Sequence, residues 1–482
     1  MQFNSFIFIL LFLPLVIMAY FIGNKINQTV GKIVIILASV IFYSYYDLSV
    51  FTVLAISLLI NYFFVIVIRT SKKWKRAFVI FPIIINICLL LYFKYLNFAI
   101  NNINLIFGRE FALKELTMPL GISFFTFQQI AYIVSSYKEE LDQPSVIDYL
   151  AYILYFPKIL MGPLIEPVDF IKQFNNKKLK SINFDNLASG IKIFSFGLFK
   201  KMMIADVFSK AVSWGYANIN NTTSMDWILI SIFYTFEIYF DFSGYSDMAV
   251  GISSMFNISL PINFDSPYKA LSVRDFWKRW HISLTKFFTK YIYIPLGGSK
   301  KGKVLTYVNT LLVFIISGIW HGANWTFILW GLIYGILMVL DRIFEKIESN
   351  IFEPVRWILT FNIINVLWLL FRSDTINMWI QLIKRIISFQ DTSISQGLID
   401  NFVMSESKFI QSIFHLDKFV NNIRGFWLLV YLIISFFICL IPENNYKNYK
   451  SLSFVSMIFS AILFIWAFIC LSGESVFVYF NF

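Results

Sequence analysis

Histidine is scarce in this chain: His281, His321 and His415 are the only three among 482 residues. His321 lies in Ser317-Gly318-Ile319-Trp320-His321-Gly322-Ala323-Asn324-Trp325, between two long apolar runs. An ionisable side chain inside an apolar span is costly and points to function by default. A neutral imidazole there could accept a proton from a hydroxyl. The structural alternative is a core histidine satisfied by a backbone carbonyl. Gly318 and Gly322 permit close helix approach or a helix break, and Trp320, Trp325 and Asn324 would shape and polarise the site.

His281 ends the run Arg274-Asp275-Phe276-Trp277-Lys278-Arg279-Trp280-His281. At helical spacing Phe276, Trp280, Leu284 and Phe287 share one face, and Arg274, Lys278 and His281 share another. The expectation is an interfacial amphipathic helix with a basic face, to which Arg279 adds charge. Such a face either holds anionic lipid or receives the phosphates of a coenzyme A or phosphopantetheine arm. His415, in Phe414-His415-Leu416-Asp417, reads as a surface residue.

A third polar cluster interrupts an apolar segment: Tyr239-Phe240-Asp241-Phe242-Ser243-Gly244-Tyr245-Ser246-Asp247, with Glu237 just before it. Either these carboxylates pair with basic residues of neighbouring helices, or a discontinuous helix exposes Asp241, Ser243, Tyr245 and Asp247 to a polar tunnel. An ion-coupled transporter would use similar residues. The chain has no GxSxG elbow, Walker A loop or GxGxxG opening, so hydride transfer and nucleotide hydrolysis find no support. No metal-ligand constellation accompanies the histidines. Cys88, Cys439 and Cys470 show no CxxC spacing.

These residues must be held by membrane helices. The chain is 58% hydrophobic and 14% charged, with 56 Phe, against about 25% charged for a soluble domain. Its net charge of +12 sits in short clusters between apolar runs, the pattern of loops beside anionic lipid rather than of a nucleic-acid partner. The expected fold is all-α and polytopic, with about 11–12 spans of roughly 20 residues. These run near 5–22, 30–46, 49–69, 77–98, 146–165, 187–207, 226–256, 304–320, 323–340, 354–372, 426–442 and 454–472. The 119–137 stretch reads as short, tilted or re-entrant. The first span, Phe6 to Ile22, reads as retained rather than cleaved. The basic loop 71–76, Lys25, the Gly297–Lys303 loop, and Lys447 with Lys450 all fall on the cytoplasmic side. That puts the N-terminus, Asp47, the polar segment 381–425 and the tail from Gly473 outside.

Taken together, five ordered motifs resemble the membrane-bound O-acyltransferase (MBOAT) family. They are Asp241–Ala249, Asn263–Tyr268, Arg274–His281, Tyr293–Gly298 and Trp320-His321-Gly322. Within it they are most similar to the bacterial AlgI branch, which acetylates exopolysaccharides such as alginate. The resemblance implies N-terminal helices over 1–110, an MBOAT core over 111–345 and C-terminal helices over 346–482. It also implies inner and outer funnels joined through a thin centre in a bacterial plasma-membrane protein. His321 matches the family's principal catalytic histidine, and His281 a second one near the donor. The implied donor is a cytoplasmic acyl thioester, acetyl-CoA or an acyl carrier protein, with no bound cofactor or metal. The implied acceptor is an extracytoplasmic polysaccharide, reached through a partner like AlgJ, AlgX or DltD.

The ending Phe477-Val478-Tyr479-Phe480-Asn481-Phe482 resembles a tail of extracytoplasmic acylation systems in which the tyrosine carries the acyl group. The other reading is an aromatic belt at the interface. D-alanyl transfer to teichoic acid, as by DltB, and peptidoglycan O-acetylation are the related enzymatic alternatives.

Overall fold

The computed structural model describes residues 1–45, 48–141, 145–348, 350–471 and Phe477. It is all-helical, with no strand among the described residues. The N-terminal part comprises α1 (Leu13–Ile26), α2 (Gln28–Ser44), α3 (Leu48–Thr70), the long α4 (Lys75–Phe107), α5 (Ile122–Tyr137), α6 (Val146–Leu154) and α7 (Pro167–Phe174). The centre comprises α8 (Phe184–Phe199), α9 (Asp206–Ala217), α10 (Ser224–Met255), α11 (Val273–Arg279), α12 (Ile282–Phe288), α13 (Lys303–His321) and α14 (Trp325–Glu348). α15 (Glu353–Arg372), α16 (Ile376–Ser388), three short helices over 396–422, α17 (Phe426–Leu440) and α18 (Phe454–Ile469) follow.

Six helices among the described residues are long and apolar enough to cross a membrane: α1 with its lead-in from Phe8, α3, α4, α13, α14 and α15. α2, α17 and α18 are apolar but shorter. This is fewer than the spans read from hydropathy, and the differences have local causes. The 146–165 stretch is helical only to Leu154. Beyond it, Pro157, Gly162 and Pro163 break the helix, and residues 155–163 run as buried irregular chain. Such backbone is tolerated at membrane depth only inside protein. The 187–207 stretch is α8 followed by a widened turn, Lys200–Ala205.

α10 is the central post. From Phe233 to Met255 every residue is buried, so it has no solvent or lipid face. The run 239–247 lies within this one unbroken helix, which corrects the expectation of a discontinuous element. Thr223 and Asp226 close its N-terminus with a reciprocal capping box. Asp226 also accepts from the Ser395 backbone N–H at 2.9 Å, tying the 381–425 segment to that end.

α8 crosses α10 in antiparallel sense at two glycine pairs, Gly190 with Gly251 and Gly197 with Gly244. A Cβ on Gly197 would lie 2.6 Å from the Gly244 carbonyl oxygen. With no hydrophobic drive between helices in lipid, such backbone approach supplies the packing. Gly197→Leu should therefore lower the melting temperature of the detergent-purified protein by several degrees, since overpacking costs roughly 1–3 kcal/mol. An unchanged melting curve would mean the helices do not approach this closely.

Candidate active site

α13 and α14 form a hairpin, and His321 is the last helical residue before its tip. A Cβ on Gly318 would meet the Phe327 carbonyl at 2.3 Å, and one on Gly331 the Phe314 carbonyl at 2.4 Å. Only glycine allows the two helices to lie this close. At Gly322 a Cβ would fall 2.1 Å from the Phe327 ring, which occupies the space a side chain would need. The chain can thus turn sharply after His321. The His321 ring lies 4.8 Å from Trp320, 5.2 Å from Trp330 and 5.3 Å from Phe371, centroid to centroid. The residue is 5% exposed.

His321 and Trp320 line a cavity of about 270 Å³ walled by Met118–Phe124, Leu160, Met161 and Lys94. Gly121 is required there: its φ is +68°, and a Cβ would meet the Ile159 carbonyl at 2.7 Å. Two further cavities lie close to Trp320. One, about 430 Å³, includes Phe127, Gln128, Tyr152, Glu166, Ser283 and Lys286. The other, about 270 Å³, includes Arg274, Lys278, Phe288, Thr289 and Arg342. Phe127 stacks on Trp320 at 5.4 Å and Phe288 meets it edge-on at 6.3 Å. Trp320 thus lines the His321 cavity and packs against one lining residue of each of the other two.

His281 departs from the sequence expectation. α11 and α12 are separate helices, and His281 sits between them at φ +44°, in the left-handed region. Asn263 makes the break: its carbonyl accepts from Ile282 N–H at 2.9 Å and its side chain from the Ser283 hydroxyl at 2.6 Å. His281 thereby leaves the basic face and is 1% exposed. It lies 4.7 Å from the Phe242 ring and 6.5 Å from Trp320. Left-handed backbone in a non-glycine residue costs about 1–3 kcal/mol and clusters at functional sites. Both histidines thus approach Trp320.

Lys75 binds Glu139, whose carboxyl is held below its usual range by that ammonium, and Lys290 binds Glu166 at 2.9 Å. These pairs define one basic face.

The other anticipated site residues divide into two groups. Arg274 and Lys278 share a cavity, where Arg274 also pairs with Glu345 at 2.6 Å and Asp341 at 3.6 Å. Arg279 is turned away, bound to Asp275 at 2.9 Å. Asp241 pairs with Lys201 at 2.7 Å and Asp247 with Lys200 at 2.7 Å. The widened turn after α8 lets two successive lysines reach α10, so the pairing alternative holds for these carboxylates. Ser243 and Tyr245 are buried in the same helix. Asn324 caps the start of α14, accepting from Thr326 N–H at 3.0 Å and donating to the Asp374 carbonyl at 2.8 Å. It is not among the residues lining the His321 cavity. Trp325 donates to Asn102 at 2.9 Å. His415 is exposed. Asp47 and Tyr479 lie outside the described residues, but Phe477 is buried against Tyr245 at 5.1 Å, with the Lys201 ammonium 4.6 Å from its ring.

The family model described as MBOAT, membrane-bound O-acyltransferase family, matches residues 104–373, which contain both histidines and the lining of the three cavities apart from Lys94. The chain belongs to the membrane-bound O-acyltransferase family. It is similar to a peptidoglycan O-acetyltransferase of Helicobacter pylori, 35% identical across all of this chain and 97% of that one. It is likewise similar to a probable alginate O-acetylase AlgI of Pseudomonas putida, 34% identical over 82% of each chain. A teichoic acid D-alanyltransferase of Streptococcus thermophilus is 26% identical over 54% of this chain and 69% of its own. The MBOAT protein is accordingly a multi-pass membrane O-acyltransferase, and family membership, together with the ion-paired carboxylates, displaces the transporter alternative.

One residue of the site went unnoticed in the sequence. Lys94, the one cation of α4 beyond its first two residues, reaches the His321 cavity. The signal was available, since a lysine within a span requires a reason.

The paired charges around α10 are testable in this MBOAT scaffold. Lys201→Met should destabilise by about 3–5 kcal/mol, because it strands a buried carboxylate. Adding Asp241→Asn should recover part of that loss in thermal unfolding. Strictly additive losses would show that the pair is not coupled.

Proposed function

We propose that this protein is an O-acetyltransferase that takes acetyl from a thioester at the basic, cytoplasmic face and delivers it to a glycan hydroxyl outside. The observation that carries this reading is the arrangement at Trp320: both histidine rings approach its indole, and it lines the His321 cavity. The cationic lining of the Arg274, Lys278 and Arg342 cavity supports docking of a phosphate-bearing arm, from coenzyme A or a carrier protein, at that face.

In the transfer step His321 accepts the proton of an incoming hydroxyl as its oxygen bonds to the thioester carbonyl carbon. The carbon–sulfur bond breaks, and the proton that His321 accepted passes to the departing thiolate, with His281 as the relay, so that both imidazoles end neutral. The first hydroxyl belongs to Tyr479 or to an extracytoplasmic partner resembling AlgJ, AlgX or DltD. A second exchange of the same kind moves acetyl onto the polymer. Both steps exchange one acyl bond for another, so no redox change occurs.

Peptidoglycan is the acceptor we favour. The full-length correspondence with the Helicobacter pylori protein supports it, because that likeness extends through the helices after the family core. An alginate-like exopolysaccharide is the second reading, supported by likeness to AlgI proteins over 82% of this chain.

Deleting the gene and restoring it with His321→Ala should leave muropeptides without base-labile acetate at unchanged protein abundance, measured by mass spectrometry. Retained acetylation would remove His321 from catalysis. Loss of acetate only from secreted polysaccharide would transfer the acceptor to the second reading. Tyr479→Phe removes one hydroxyl; the relay predicts loss of acetylation, and a normal level would return the tail to an aromatic belt.

A further inference from the structure

The last turn of α13 ends inside the protein. The final carbonyls of a helix lack intrahelical donors, and the usual remedy is a left-handed residue just beyond the end. Here Gly322 is extended, at φ −165° and ψ 155°, so the chain does not close the turn on itself. The donors come from α4 instead. Lys94 Nζ donates to the Trp320 carbonyl at 2.7 Å and to the His321 carbonyl at 2.8 Å. The adjacent Tyr95 hydroxyl donates to the Ile319 carbonyl. Three successive carbonyls of the catalytic turn are thus held by two successive residues of another helix.

α4 is itself anchored. Asn86 donates to Asn61 at 2.6 Å, and Asn61 donates to Gln129 at 3.1 Å, which joins α3, α4 and α5 through buried polar bonds. The reach of α4 is also suited to this contact. Lys94 stands 19 residues beyond Lys75, and His321 stands 18 residues beyond Lys303. The two helices therefore rise from the basic face to the same depth. A positive charge at a helix C-terminus is favourable, which offsets part of the cost of a lysine in a span.

We infer that Lys94, assisted by Tyr95, is a positioning residue for acyl transfer: it fixes the terminal turn of α13 so that His321 faces its cavity. This rests on the acyl-transfer reading for its kinetic consequence, but not for its structural one. Lys94 acts through the backbone of His321, and no proton of the reaction passes through it.

The test uses full-length protein in liposomes with acetyl-coenzyme A as donor probe, together with diethylpyrocarbonate labelling of histidines read by peptide mass spectrometry. Lys94→Met should lower the turnover number at least about tenfold with donor KM unchanged, since small misplacements of a catalytic group are costly. It should also change the His321 labelling rate severalfold while leaving His281 as in the wild type. Lys94→Arg, which keeps charge and several donors, should restore most of both. Wild-type turnover and His321 labelling in Lys94→Met would overturn the inference, as would an Arg variant no better than Met. If Lys94→Met does not fold, Tyr95→Phe carries the test: a smaller loss of turnover with altered His321 labelling supports it, and unchanged values of both overturn it. If the wild-type protein transfers no acetyl, the functional reading fails while the labelling arm still decides the role of Lys94.

Discussion

A helix that ends inside packed protein leaves its last carbonyls without water to serve them. α13 stops in this way at His321, and much of the surrounding structure answers that deficit. Lys94 and Tyr95 supply the donors. Gly318, Gly322 and Gly331 let α14 and the Phe327 ring close around the turn. Trp330 and Phe371 enclose the imidazole. A helix running on past the residue would have supplied these bonds itself, but would have covered the imidazole with its next turn. The break leaves His321 beside a cavity, and the helix at its back holds it there.

The same logic operates one layer down. His281 is likewise released from a helix by a break, and Asn263 serves the freed backbone. Two interrupted helices thus present two histidines to one indole. The α8–α10 pair provides the fixed frame beneath them: glycine contacts bring the backbones together, and lysine–aspartate pairs neutralise charges that no lipid could accommodate. α10 links this frame to the site directly, because Phe242 contacts His281 while Asp241, one residue before it, pairs with Lys201.

Local patterns in the sequence carried part of this arrangement. Trp320-His321-Gly322 between two apolar runs is a legible hairpin tip, and the basic loops mark one face. The break at His281 was not legible, because Phe276, Trp280, Leu284 and Phe287 keep helical spacing straight through it. Its cause, Asn263, is distant in sequence and acts through backbone bonds. The irregular 155–163 chain was signalled by Pro157, Gly162 and Pro163, but hydropathy alone averaged across them. Lys200 and Lys201 are adjacent and show no spacing signal; only the widened turn shows that both serve α10. Lys94 was hidden because a side chain that satisfies carbonyls of another helix leaves no spacing pattern of its own.

The central claim is that acetyl passes by way of His321 from a donor on the basic face to an acceptor on the other. The most direct measurement reconstitutes the protein in sealed liposomes of known orientation, with isotopically labelled acetyl-coenzyme A confined to one side and a glycan acceptor to the other. Label should reach the glycan only when the donor contacts the face carrying Lys75 and Lys290, and only with His321 intact. Equal transfer from either face, or transfer by His321→Ala at the wild-type rate, would contradict the claim.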